Sequence, residues 1–223
     1  AIVSYATLRD DLVTVRLPWE HTYVVLASET SPPDVSATLR LTLAELVADA
    51  VRADSRIAEE PFWWESSNHC TAPASTRPVA PARPSSRVVY LSGDRVAQGV
   101  AERLVALAES RSARGDSVLD ALLPRLSRAR ARATAIGLSP SAFAAALHAG
   151  DDLAYVLPLP RFAFAPCHEL ATLRRSAPWV QSVVPLIDTR SHALVRRGRV
   201  GLRVDADGSM RLLDGASAKD KDP

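Results

Sequence analysis

The sequence has no long run of apolar residues, although 47% of its 223 residues are hydrophobic. The apolar runs, such as residues 23–27 and 153–159, are far shorter than the ~20 residues that span a bilayer. The sequence therefore predicts no transmembrane segment. Its hydrophobic content is high enough for a sizeable core, which argues against wholesale disorder.

An excess of charge of one sign is also missing, since 27 basic residues stand against 25 acidic ones for a formal net charge of +2. A nearly neutral chain lacks the bulk electrostatic attraction that draws proteins to nucleic acid. We therefore predict no nucleic-acid partner. Lysine occurs only at Lys219 and Lys221, a bias that we attribute to genome base composition rather than to function.

The motifs of several common enzyme classes are absent. The sequence has no Gly-x-Ser-x-Gly elbow, no phosphate-binding P-loop and no His-Glu-x-x-His zinc motif. The adjacent acids Asp151 and Asp152 follow Gly150 at the predicted end of a helix, where a polar turn is a simpler interpretation than acid–base chemistry. We therefore predict that the chain is not an enzyme and uses no cofactor.

Cysteine is scarce, and the two residues lie far apart at Cys70 and Cys167. In an exported protein two cysteines suggest one disulfide, and two buried free thiols are the alternative. A zinc site built from the pairs His69–Cys70 and Cys167–His168 is a weaker alternative, because adjacent residues point in different directions. No metal is predicted.

What the sequence does have is an alternation of strand-like and helix-like segments. Strands are predicted at residues 87–91 (RVVYL), 132–136 and 153–159, separated by helices. The last of these helices begins after Ser139 with Pro140 in its first turn, a favoured arrangement. Strand, helix, strand, helix, strand predicts an α/β fold with a parallel sheet.

The flanking segments have their own patterns. Residues 12–17 and 22–28 predict two strands, and residues 35–53 predict a helix with one apolar stripe. Residues 61–86 are rich in Pro, Ser, Thr and Ala and predict a long loop. Its aromatic residues Phe62, Trp63 and Trp64 either stack on a ligand or anchor the loop.

The C-terminal segment predicts a hairpin. Val200, Leu202 and Val204 alternate with polar or small residues before the pair Asp207-Gly208, and alternation around Asp-Gly is a strong hairpin signal.

Four segments, in order, resemble bacterial extracellular solute-binding proteins of family 5, the oligopeptide-binding type of ABC importers. They are TVRLPWEHTYVVLA (residues 14–27) with the helix after it, RVVYLSGD (87–94), GLSPSAFAAALHAGDDLAYVLPLPR (137–161) and VVPLIDTRSHALVRRGRVGL (183–202). The resemblance rests on the order and texture of these segments. It covers most of this chain, but only the C-terminal half of a typical family member.

The resemblance implies one lobe of a periplasmic binding protein. We expect an α/β fold with a mixed, largely parallel sheet flanked by helices, plus a C-terminal β-hairpin. Residues 1–30 are then hinge and crossing strands, and residues 31–182 are the lobe with its aromatic loop at 61–86. Residues 183–214 are the return strands and the hairpin, and residues 215–223 are a disordered tail.

The resemblance also implies a ligand-binding wall. Family members usually carry an acidic residue before the proline that follows the cleft strand, and in peptide binders it can hold the ligand's amino group. Here Arg161 follows that strand instead, and a guanidinium facing the cleft favours an acidic ligand or a ligand carboxylate. A surface arginine at a strand end is the alternative. The predicted ligand-binding residues are Trp63, Trp64, Tyr155, Leu159 and Arg161.

The predicted function is non-catalytic binding of a peptide or small molecule for an ABC importer. The expected partners are an ABC permease or a chain that supplies lobe one, and some peptide-binding relatives carry a bridge that agrees with the Cys70–Cys167 disulfide. The implied location is periplasmic or extracellular, with membrane association through partners or a lost lipid anchor. Because the sequence starts at Ala1 without a signal peptide, we expect a mature or trimmed product. The alternative function is a repurposed lobe that serves as a protein-interaction or assembly subunit.

Overall fold

The computed structural model describes residues 10–27, 54–58, 86–112, 133–161, 171–173, 175–180, 182–196, 202–204 and 210–212. Several predicted features lie outside these residues: the helix at 35–53, most of the loop at 61–86, the tail at 215–223, and Trp63, Trp64, Cys70 and Cys167. The disulfide and the proposed domain boundaries stay predictions.

The main elements of the described residues are ten strands and two helices. The strands are β1 (Leu12–Arg16), β2 (His21–Ala27), β3 (Asp54–Ile57), β4 (Arg87–Leu91), β5 (Thr134–Leu138), β6 (Ala154–Pro160), β7 (Ser182–Arg190), β8 (His192–Arg196), β9 (Leu202–Val204) and β10 (Met210–Leu212). The helices are α1 (Arg95–Ser112) and α2 (Pro140–Ala149). Within the described residues, no helix is both long enough and apolar enough to cross a membrane.

A six-stranded sheet with the order β3-β7-β2-β6-β4-β5 organises these elements. The strand β4 pairs in parallel with β5 and with β6, as the alternation of strands and helices predicts. The pairings β2–β6, β2–β7 and β3–β7 are antiparallel. The predicted α/β class with a mixed sheet is therefore confirmed.

The parallel share of the sheet is smaller than predicted. Two of the five pairings in the six-stranded sheet are parallel, so the expectation of a largely parallel sheet was wrong. The reason is that β2, whose partner β7 is far away in the sequence, lies between β6 and β7 and runs antiparallel to both. The strand–helix pattern of residues 87–177 contains no information about those two strands.

Helices cover opposite faces of the sheet. Successive residues of a strand point to opposite sides, so neighbouring residues contact different helices. Val25 packs in the cluster that contains Leu104 of α1. Its neighbour Val24 packs in the cluster that contains Phe143 and Leu147 of α2. We call these clusters the α1 layer and the α2 layer. Full burial of each such side chain stabilises the fold by about 1.5–3 kcal/mol.

The start of α1 is fixed by Asp94. Its Oδ1 accepts hydrogen bonds from the backbone N–H groups of Val96 at 3.0 Å and Ala97 at 2.9 Å, which satisfies donors that a helix leaves unpaired at its N-terminus. The hydroxyl of Tyr23 also donates to Asp94, at 3.0 Å from Oδ2. This contact ties the helix start to the central strand β2.

Both ends of α2 agree with the sequence prediction. Ser139 is the N-cap, with its hydroxyl accepting from the backbone N–H of Ala142, and Pro140 opens the helix. At the other end Gly150 adopts the left-handed conformation with φ 70°, and its N–H donates to the carbonyl of Ala146. Glycine is favoured there because a Cβ atom is strained at positive φ.

The strand β7 contains a bulge. Val24 lies opposite Pro185 and Tyr23 lies opposite Ile187, so Leu186 has no partner of its own on β2. A bulge tolerates proline, which lacks a backbone N–H. Leu186 and Ile187 both pack in the α1 layer, and the next residue, Asp188, faces the other side of the sheet.

Two further strand pairs lie outside the six-stranded sheet. The strands β1 and β8 form an antiparallel ribbon in which Leu12 pairs with Arg196 and Arg16 pairs with His192. The strands β9 and β10 pair antiparallel, so the predicted C-terminal hairpin is confirmed in its strands. Its turn, Asp207-Gly208, lies outside the described residues.

Candidate functional site

A buried polar cluster lies where β2, β3, β6 and β7 meet. Asp188 is opposite Thr22 on β2 and opposite Arg56 on β3, and opposite residues of paired strands share one face. Thr22 Oγ1 donates to Asp188 Oδ1 at 2.7 Å, and Arg56 Nε donates to Asp188 Oδ2 at 3.0 Å. Arg161, directly after β6, donates from Nη1 to Asp188 Oδ1 at 2.9 Å. These residues form the Asp188 cluster.

Burial makes the pairing within this cluster strong. The Asp188 side chain is 0% exposed, whereas the side chains of Arg161 and Arg56 are 16% and 33% exposed. A buried carboxylate is stable only when charged or polar partners replace its water. Both oxygens of Asp188 receive charge-assisted hydrogen bonds, and the two guanidinium groups are thereby held in place while part of each side chain still reaches the surface.

Trp19 lies beside the cluster, and two arginines lie over its ring. The Cζ atom of Arg56 is 4.6 Å from the centroid of the Trp19 ring, and the Cζ atom of Arg190 is 4.2 Å from it. Both distances are within the range of cation–π attraction, which is strongest for tryptophan. Trp19 is half-buried, so the indole ring and the Asp188 carboxylate together orient Arg56.

Backbone hydrogen bonds fasten this end of the sheet. The N–H of Glu20 donates to the carbonyl of Thr189 at 2.9 Å, and the carbonyl of Glu20 accepts from the N–H of Arg161 at 2.8 Å. The hydroxyl of Ser191 donates to the Glu20 carboxylate at 2.9 Å. The chain segments that lead from the sheet to the β1–β8 ribbon are therefore held together.

Tyr155, predicted to line the ligand-binding wall, lies in the core. Its side chain is 1% exposed, and its hydroxyl donates to the carbonyl of Ala146 at 2.8 Å. The same hydroxyl accepts from the N–H of Asp152 at 3.0 Å, and its ring centroid is 4.9 Å from that of Trp179. These contacts are those of a structural residue, which joins the end of α2 to the sheet.

The other predicted wall residues fall into three groups. Leu159 is 8% exposed and packs in the α2 layer, opposite Thr22 of the neighbouring strand. Arg161 belongs to the Asp188 cluster. Trp63 and Trp64 lie outside the described residues. The ligand-binding wall as a whole stays a prediction. Among the predicted wall residues that the structure describes, Arg161 has the most polar surroundings.

Because the fold buries two tyrosines, we expect its free energy of unfolding to fall at alkaline pH. Burial and the nearby Asp94 carboxylate raise the pKa of Tyr23, and burial raises the pKa of Tyr155. The phenols ionise at pH about 10 in the unfolded chain, whereas in the folded chain they stay neutral at that pH. The free energy of unfolding therefore falls above pH 10, by up to about 1.4 kcal/mol for each tyrosine and each pH unit. Urea unfolding between pH 7 and 11 measures this slope.

The control for the alkaline prediction is the double variant Tyr23→Phe/Tyr155→Phe. It should be less stable at neutral pH, because the hydrogen bonds of both hydroxyls are lost, but its stability should decline less steeply above pH 10. An equal slope in the variant and in the original chain would show that other groups control alkaline unfolding.

Sequence reasoning missed most of the Asp188 cluster. Thr22, Arg56 and Asp188 were not predicted as site residues, since Arg56 and Asp188 are separated by 132 positions. One signal was present: Asp188 directly follows the apolar residues Leu186 and Ile187. An acid that continues a buried strand needs a buried cation, and an arginine on a neighbouring strand is the usual source.

The chemistry of the cluster suits recognition of an anion rather than coordination of a metal. Guanidinium groups form bidentate hydrogen bonds with carboxylates. Among the described residues, no group of three or more His, Cys, Asp or Glu side chains is arranged to hold a metal ion. The pairs His69–Cys70 and Cys167–His168 lie outside those residues.

No known family model and no curated protein match this chain. NikA from Brucella suis, in a structure with Fe(III)-EDTA, is 10% identical with a TM-score of 0.43, and the match covers 95% of this chain and 55% of NikA. HbpA2 from Haemophilus parasuis is 9% identical with a TM-score of 0.45, covering 95% and 52%. A periplasmic oligopeptide-binding protein from Borrelia burgdorferi is 13% identical with a TM-score of 0.40, covering 88% and 47%.

The chain thus spans about half the length of the solved structures to which it is similar. The mixed α/β fold of this chain stands on its own strand pairings and helices.

Proposed function

We propose that this chain is a non-catalytic solute-binding module, the second lobe of a receptor for an ABC importer. It binds a peptide or small molecule, and Arg161 holds a carboxylate of that solute. The other residues proposed for the same wall are Trp63, Trp64 and Leu159.

The observation that supports this proposal is the fixed position of Arg161. Its Nη1 atom lies 2.9 Å from Asp188 Oδ1 and 3.3 Å from Thr22 Oγ1. A guanidinium that is already held loses little conformational freedom when it binds a ligand, which favours affinity. Its side chain remains 16% exposed, so a carboxylate from solution can approach it.

The proposal gives the β1–β8 ribbon a partner. Two antiparallel strands alone are marginally stable in water, which agrees with further strands beside the ribbon in a complete receptor. These strands belong to lobe one, supplied by another segment or chain, and the assembled receptor delivers its solute to an ABC permease. The proposed location is periplasmic or extracellular.

Thermal unfolding in the presence of small solutes tests the proposal. The probes are dipeptides and small carboxylic acids, each compared with its amide. A ligand at ten times its Kd stabilises the fold by about 1.4 kcal/mol, which raises the Tm of a chain of this size by about 3–6 °C. We expect stabilisation by acids and not by the matching amides. Titration calorimetry of Arg161→Lys should show binding weakened about tenfold or more, because the bidentate fork is lost.

The matched control is Arg95→Lys, at an exposed position in the first turn of α1, which should bind like the original chain. Equal stabilisation by an acid and its amide would contradict the role of the carboxylate. If no solute stabilised the chain, the proposal would fail, and the alternative of an assembly subunit would gain support.

A further inference from the structure

The β1–β8 ribbon leaves the six-stranded sheet through two adjacent connections. One is residues 17–20, between β1 and β2, and the other is Ser191, between β7 and β8. The backbone N–H of Leu17 donates to the carbonyl of Ser191 at 3.1 Å, so the two connections run side by side. The backbone hydrogen bonds of Glu20 with Thr189 and Arg161 join the first connection to the sheet, so a change in the angle of the ribbon opens these bonds.

Trp19 occupies the first connection, and the guanidinium groups of two arginines lie over its ring. Arg190, 4.2 Å from the ring centroid, is the last residue of β7 and directly precedes the second connection. Arg56, 4.6 Å from the centroid, belongs to the edge strand β3. One indole ring therefore joins both connections to the edge of the sheet.

The Arg56 side of this stack is firmly anchored. Its Nε atom donates to Asp188 Oδ2 at 3.0 Å, and the Asp188 side chain is 0% exposed. The same carboxylate receives Nη1 of Arg161 at 2.9 Å. The position of the Trp19 ring is therefore set by a charged pair within the sheet and not by a mobile surface side chain.

We infer that the Arg56–Trp19–Arg190 stack is a clasp that fixes the angle between the β1–β8 ribbon and the six-stranded sheet. When the clasp is closed, the ribbon is held in one orientation. When it opens, the ribbon moves about residues 17–20 and Ser191 while the sheet stays folded. A cation–π contact changes such an open–closed equilibrium by roughly two- to thirtyfold.

Native-state hydrogen exchange on the full chain, without any ligand, tests this inference. Exchange rates report local opening before global unfolding. In Trp19→Leu, the amides of Glu20 and Arg161, whose hydrogen bonds join the first connection to the sheet, should exchange on the order of tenfold faster. The amides of β4 and β6 should keep their rates. Trp19→Phe should give an intermediate increase, because phenylalanine binds cations more weakly than tryptophan.

A charge variant keeps the test valid if Trp19→Leu does not fold. Arg190→Gln removes one cation from the stack and should also accelerate exchange of the Glu20 and Arg161 amides. Its matched control is Arg196→Gln, a ribbon arginine whose side chain is 74% exposed, which should leave the rates unchanged. Unchanged exchange of the Glu20 and Arg161 amides in Trp19→Leu and Arg190→Gln, or an equal increase across the whole sheet, would overturn the clasp. Since no solute is used, failure here is independent of the proposed binding function.

Discussion

Asp188→Ala is expected to destabilise the folded chain by about 3 kcal/mol. The substitution leaves Arg56 and Arg161 beside a void without the carboxylate that joins them, and breaking a buried ion pair by removing one partner costs about 3–5 kcal/mol. The lower end applies because the two arginine side chains are 33% and 16% exposed and can recover part of their hydration. Thr22 also loses the acceptor of its hydroxyl.

Urea unfolding monitored by circular dichroism measures this loss. The matched control is Asp11→Ala, whose carboxylate lies 4.0 Å from Arg196 in a pair with side chains 46% and 74% exposed. An exposed pair contributes about 1 kcal/mol or less, so the control should differ little from the original chain. Equal losses in the two variants would contradict the special status of the Asp188 cluster.

An asparagine at position 188 separates charge from shape. Asp188→Asn keeps an acceptor oxygen for one donor but removes the negative charge that both guanidinium groups share. We expect its stability to lie between those of the original chain and Asp188→Ala. A result equal to the original chain would show that hydrogen-bond geometry, and not charge, holds Arg56 and Arg161.

The parts of the fold that could be predicted from sequence are those set by neighbouring residues. The strand at residues 87–91 and the cap residues Ser139 and Gly150 of α2 appear as predicted, because strand propensity and cap geometry depend on a few adjacent positions. The sheet order was not predictable in this way. It depends on β2 and β7 meeting in the centre, and their pairing joins residues such as Thr22 and Asp188 that are 166 positions apart.

The residues of the candidate site differ in the same way in how well the sequence predicts them. Arg161 could be singled out because it stands directly after a strand-like segment. Tyr155 lies six positions earlier on the same strand, but an alternating pattern shows which residues share a face and not whether a helix covers that face. In the structure α2 and Trp179 cover it. Asp188 was not singled out, and in the structure β7 continues to Arg190 and the Asp188 carboxylate is buried.

Gly150→Ala is expected to cost about 2–5 kcal/mol through two separate effects. At φ 70° an alanine is strained, which costs about 1–2 kcal/mol in the left-handed region. The added Cβ atom would also lie 2.5 Å from Cδ1 of Trp179, and overpacking of this kind costs about 1–3 kcal/mol. The Trp179 ring cannot move away easily, because its Nε1 donates to the carbonyl of Leu147 and it packs on Tyr155.

Gly93 provides a control that isolates the backbone effect. Its φ is 93°, but a Cβ atom there would meet nothing within 4 Å. Gly93→Ala should therefore show only the strain of about 1–2 kcal/mol. The difference between the two alanine variants in urea unfolding then measures the contact with Trp179. If both lost the same stability, the clash at Trp179 would have no energetic role.

A double-mutant cycle with Trp179→Phe measures the coupling between position 150 and the Trp179 ring. The smaller ring gives the new methyl group space, so Gly150→Ala should cost about 1–2 kcal/mol less in the Trp179→Phe background than in the original chain. Strain from φ alone predicts the same cost in both backgrounds. The size of the coupling thus decides whether glycine is needed at the end of α2 for its backbone conformation only, or also because Trp179 occupies the space beside it.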